Sequence, residues 1–145
     1  MINYSVPRSE QRKFERELKK YYKKSRSRFE DHVTKATLDM HRMAQDNCAR
    51  DEGDTRKKIY INFTNNGLTG EAISPSDHSA ALEDGSKPHM PPVDALKEWA
   101  KRHGIDPWAL AMTIKKKGTK ANPFMYPAWS KAHKDFMKGL RRVFR

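Results

Sequence analysis

The chain has a single cysteine, Cys48, in 145 residues. A lone cysteine excludes an internal disulfide and any metal site built from several thiolates. No apolar run approaches the roughly 20 residues needed to cross a bilayer as a helix. Met1 to Pro7 are few and polar and lead directly into a charged run, so no secretory leader is expected. Apolar residues make up only 36% of the chain, so much of its surface is expected to be solvated or covered by partners. These absences predict a soluble protein of a reducing cytoplasm, with no membrane partner.

The short signatures of catalysis are missing too. There is no nucleophile elbow, no phosphate-binding glycine loop and no GxGxxG. The histidines do not converge in sequence. His32 and His41 are spaced off one helical face, His78 and His89 fall in separate loops, and His103 lies near a helix end. His133 falls on the apolar side of the last helix, where a satisfied core histidine is expected. None has HxH, HExxH or Cys/His ligand spacing. The acidic pairs Asp51-Glu52 and Glu83-Asp84 read as turn caps, since neighbours on a strand point to opposite faces. The expectation is a protein that is no enzyme, with no catalytic, cofactor-binding or metal-binding residues and no cofactor.

What the chain does have is positive charge, a net +12, unevenly spread. Residues 1–48 carry 12 Lys/Arg against 7 Asp/Glu, residues 49–91 carry 5 against 7, and residues 92–145 carry 13 against 4. Two basic ends flank a slightly acidic middle. Such a surface attracts polyanions by counterion release, and acidic protein partners equally. The run Lys115-Lys116-Lys117 reads either as a grip on phosphates or as a solubilising helix terminus.

Length and punctuation suit one domain, 1–145, of α+β class. Residues 8–48 form one long helix. Its stripe runs Phe14, Leu18, Tyr22, Ser25, Phe29, Val33, Ala36, Met40, Ala44 in steps of three and four, without Gly or Pro. Pro7 and Ser9 mark its start. At 1.5 Å per residue it is about 60 Å long, more than a domain of this size can cover. A polar break around Gly53 follows. The β region is 57–86. There Ile59, Ile61 and Phe63 alternate as the core-facing set, Asn65-Asn66-Gly67 is a hairpin turn, Leu68 to Ile73 returns, and Ser79 to Glu83 is a short strand or helical turn. A helical insert, 92–118, holds two helices. In the first, Val93, Leu96, Trp99 and Ala100 share a face. In the second, Asp106 is the cap, Pro107 the first residue, Trp108, Leu110, Ala111 and Ile114 supply apolar surface, and Gly118 is the stop. The connector and C-terminal helix occupy 119–145. Phe124, Met125 and Tyr126 pin the connector, Pro127 opens the helix, and Trp129, Ala132, His133, Phe136, Leu140 and Val143 form its stripe.

Three stretches in this order resemble the head–tail joining and tail-completion proteins of tailed bacteriophages. After the long helix comes Gly53-x-x-Arg56-x-x-Ile59. After the hairpin comes Ala81-x-Glu83-x-Gly85-Ser86. Before the last helix comes Pro123-Phe124-x-x-Pro127-Ala128. The departures are Thr55 for the usual Leu, Asp84 for an aromatic, and Ser86 for Thr. The resemblance spans about residues 10–143.

It implies a structural virion protein of the neck or tail, assembled in the host cytoplasm as a sixfold or twelvefold ring of itself around the DNA channel. Its expected neighbours are connector or stopper proteins and tail-tube or terminator proteins, with non-specific DNA contact. The alternative reading is a basic nucleic-acid-binding module using the first helix and Lys115–Lys117. A small hydrolase ranks last.

Overall fold

The computed structural model describes residues 5–48 and 54–144. Its elements are α1 (Arg8–Asn47), α2 (Asp54–Lys58), β1 (Tyr60–Thr64), β2 (Thr69–Ile73), α3 (Ser79–Asp84), α4 (Val93–Arg102), α5 (Pro107–Lys117) and α6 (Met125–Val143). The class is α+β, as the residue pattern predicts. The break around Gly53 and the pair Asp51-Glu52 lie outside the described residues.

The unbroken spacing of α1 makes it the spine. Pro7 stands at its N-cap, with its carbonyl accepting from the Glu10 and Gln11 N–H groups, and Ser9 is the second helical residue. From Phe29 onward the stripe is covered, with Val33 and Ala44 buried and Ala36 and Met40 half-buried. Antiparallel strands β1 and β2 pair from Tyr60 with Ile73 to Thr64 with Thr69. Asn65, Asn66 and Gly67 all take positive φ, the backbone that the tight turn demands. The hairpin lies along α1. Gly70 abuts Thr37 so closely that a Cβ would collide with the Thr37 hydroxyl, and the His41 Nε2 lies 2.9 Å from the Ile59 carbonyl.

The β region departs from expectation at its start. Lys57 and Lys58 belong to α2, so the strand begins at Tyr60. Ile59 is buried and Ile61 half-buried, but Phe63 is 38% exposed, since its cross-strand partner is Gly70, which has no side chain to cover it. Of the two readings open for Ser79 to Glu83, the helical one holds: Ser79 to Asp84 is a helix.

Helix α6 runs back along α1. Phe29 meets Phe136 edge-to-face at 6.1 Å and stacks on Phe144 at 6.2 Å, near the far end of α6. The close approach rests on small residues: Ala128 and Ala132 are buried, and a Cβ on Gly139 would strike the His32 ring. The larger Trp129 and His133 are displaced to the rim. His133 is therefore not a core histidine. It is exposed and stacks on Trp129 at 5.2 Å. The core gathers at one end of the spine, where Ala44, Cys48, Ile59, Phe124 and Ala128 meet, backed by Met40, Met43, Leu82 and Met125.

Candidate assembly surface

The core end is tied by one carboxylate. Glu83, on α3, places Oε2 2.9 Å from the N–H groups of both Phe124 and Met125, and Oε1 2.7 Å from the N–H of Tyr126. A helix leaves its first four N–H groups without partners inside the helix. Here the first three donate to Glu83, and Pro127, the fourth, has no N–H to satisfy. Pro127 is thus the third residue of α6 and not the first, because the carboxylate draws Met125 and Tyr126 into the helix. Burial alone would raise the Glu83 carboxyl, but the three backbone donors outweigh it and hold it below its ordinary value. Of the apolar trio in the connector, Phe124 is buried and Met125 half-buried, while Tyr126 points to solvent.

Next to this cap, Ser86 and Thr119 form an isolated antiparallel bridge, exchanging both backbone hydrogen bonds at 3.1 Å. Gly85 and Gly118, which flank the bridge, have φ of 73° and 71° and press on the opposite backbone. The bridge clasps the two ends of the helical insert. Within the insert α4 and α5 pack on each other, burying Ala100, Ala111 and Ile114. Asp106 caps α5 by accepting the Ala109 N–H at 2.7 Å, as its position predicts. Trp108 does not supply buried surface. It is 58% exposed, in the first turn of α5.

The opposite end of the spine is bare. Residues 8–24 of α1 are exposed throughout, although their stripe is apolar: Phe14 is 67% exposed, Leu18 53% and Tyr22 63%. The last contact inward is Tyr21, whose hydroxyl donates to the Phe144 carbonyl at 3.4 Å. At 1.5 Å per residue these seventeen residues form an arm about 25 Å long.

The histidines are spread over separate contacts. His32 lies 2.9 Å from the Phe136 carbonyl and stacks on that ring. His89 bonds the Lys87 carbonyl, and His103 bonds the Trp99 carbonyl and stacks on the Trp99 ring. His78 precedes α3 and is exposed. Cys48 is buried, and burial pushes its thiol up, so it is a poor nucleophile. Among the described residues no group of three or more His, Cys, Asp or Glu could hold a metal ion, and no helix is long and apolar enough to cross a membrane. A groove of about 240 Å³ opens between the hairpin and α6, with Val33 and Met40 among its lining residues and Leu68, Trp129 and Phe136 beside them.

Residue patterns missed the role of Glu83 and the exposure of the aromatics on α5 and α6. They found the uncovered arm. Comparison with protein-family models, with curated proteins and with solved structures gives no match for this chain.

Proposed function

We propose that this chain is a structural component of the head–tail junction of a tailed phage, a neck or tail-completion protein. It assembles as a ring around the DNA channel and joins tail to head. One observation carries the proposal. The three stretches that resemble this family are far apart in sequence but meet in space. Ile59 lies in the same core cluster as Phe124 and Ala128, Leu82 packs against that cluster, and Glu83 caps the helix that Phe124 opens. The three stretches thus supply one end of the fold with its core and its helix cap. Arg56, from the first stretch, pairs with Asp46 at 3.3 Å and ties α2 to the end of α1.

The arm supplies the assembly side. An apolar stripe standing free in water is a liability unless a partner covers it. Phe14, Leu18 and Tyr22 lie on one face, spaced as the anchors of a helix that docks in a groove. We assign that face to a neighbouring protein of the junction. The virion is the proposed location.

The test is complementation of phage lacking this protein with Phe14→Ser/Leu18→Ser/Tyr22→Ser, and with a chain beginning at Tyr21. Both variants should fold, since every substituted or removed residue from Arg8 onward is exposed. Both should yield separate heads and tails. Normal joining by either would reject the proposal.

A further inference from the structure

The hairpin has one open edge, and we propose that the free chain uses it to pair with a second copy, β1 against β1, about a two-fold axis at Asn62. Among the described residues β1 pairs with β2 alone, and the backbone groups on its outer side meet no hydrogen-bond partner. Alternate residues of an edge strand turn their N–H and C=O groups outward, a template for one more strand. Proteins guard such edges with lysine, proline or a bulge. β1 reads Tyr60-Ile61-Asn62-Phe63-Thr64, with no charge, no proline and an unbroken register. The other edge of the hairpin is turned toward α6, with Thr69 and Gly70 lining the groove shared with Trp129 and Phe136. One open edge per copy makes a closed pair and not a growing fibre, because the contact uses the same strand on both sides.

The residues of β1 fit their own copy. Antiparallel pairing centred on Asn62 sets Tyr60 opposite Thr64 of the second copy, Ile61 opposite its Phe63, and Asn62 opposite its Asn62. Within one chain Phe63 faces Gly70, so one flank of its ring is bare. Ile61 of the second copy would stand on the other flank, and an aromatic beside a β-branched residue is a favourable cross-strand pair. The charges agree. Two copies at +12 repel each other, yet residues 59–86 contain no Lys or Arg. Lys58, the cation next to the strand, falls opposite Asn66 of the second copy in the same register, so no like charges meet along the paired strands. The spine also leaves room. Gly70 rests on Thr37, which sets β2 over α1. Pairing through β1 therefore places the two α1 helices three strand spacings apart, about 14 Å, which exceeds the helix diameter of about 10–12 Å.

The pairing describes the free chain and does not rest on the proposed function. The experiment is sedimentation equilibrium of the full purified chain from about 5 to 500 µM, which should fit a monomer and a dimer with a dissociation constant on the order of 10–100 µM, as suits a small interface. Asn62 is exposed, so substitutions there should leave the helical signal in circular dichroism unchanged. Asn62→Lys and Asn62→Asp each set like charges face to face on the axis, and each should weaken pairing by about tenfold or more. An equimolar mixture of these two variants sets opposite charges face to face and should recover the dimer, with one copy of each. Phe14→Ser/Leu18→Ser/Tyr22→Ser should pair as the unsubstituted chain does. A chain that stays monomeric across the range overturns the proposal, as does a mixture that pairs no better than either variant alone. Loss of the dimer in the Phe14, Leu18 and Tyr22 variant also overturns it, since the copies would then meet through the arm. None of these results bears on whether the arm joins particles.

Discussion

The carboxylate of Glu83 lies 2.7 Å from the backbone N–H of Tyr126, although the two residues are 43 apart in sequence. One side chain on a six-residue helix thereby organises the start of a nineteen-residue one. Glu83→Ala should strand three N–H groups and destabilise the chain by about 2–3 kcal/mol. Glu83→Gln keeps an acceptor but loses the charge, and should cost about 1 kcal/mol. Urea denaturation of both variants measures the order. Equal losses would mean that the charge is irrelevant.

The same carboxylate sets a pH dependence. Its folded value lies below the ordinary value of 4.5, so the folded state takes up the proton less readily than the unfolded chain. The stabilisation is therefore complete above about pH 4.5 and is lost as the pH falls through the folded value. The stability difference between the unsubstituted chain and Glu83→Gln should be constant from about pH 7 to 5 and shrink toward pH 3. Measuring that difference cancels the carboxylates common to both. A gap that widens on acidification would contradict the assignment.

Phe124 should be the most sensitive position of the connector. It is 1% exposed, and Phe124→Ala should cost about 3–5 kcal/mol. Pro123→Gly and Pro127→Gly act mainly on the unfolded chain, at about 0.4–1 kcal/mol each. Chemical denaturation of the three variants tests that ranking, and near-zero losses throughout would make the connector a free loop.

Much of this was legible in the residues. The three- and four-residue spacing of α1 fixed its length, and Asn65-Asn66-Gly67 fixed the hairpin, because each is a local pattern with a local cause. Glu83 was not legible in the same way. Its partners are more than 40 residues away, and the only hint is that α6 begins at a Phe N-cap with no side chain of its own to accept. The faces of α5 and α6 misled for another reason. Apolarity placed Trp108, Trp129 and His133 inward, whereas the helices approach through Ala111, Ala128, Ala132 and Gly139, and bulk is what keeps the aromatics out.

The contact between Gly70 and Thr37 offers a separate check on the hairpin. Gly70→Ala should destabilise by about 1–3 kcal/mol, through overpacking against the helix. Thr37→Ala in the same chain removes the hydroxyl and methyl nearest the new Cβ and should recover part of that loss. A double-mutant cycle in denaturant measures the coupling, and strict additivity would place the hairpin off α1.

The Ser86–Thr119 bridge has a consequence for what the chain can tolerate. Because it holds both feet of the α4–α5 excursion side by side, the excursion behaves as a pendant whose length is unconstrained by the rest of the fold. Residues 87–118 are exchangeable in principle for a short reverse turn, or extendable at the Gly104–Ile105 bend, without moving Glu83 from the start of α6. Variation among chains of this architecture should concentrate there, and a spectroscopic label placed at Glu98 on α4 would report on this pendant while leaving the spine untouched. Gly104 has open space where a Cβ would stand but a φ of 65° that a side-chain-bearing residue rarely adopts, so the exposed Glu98 is the better attachment point.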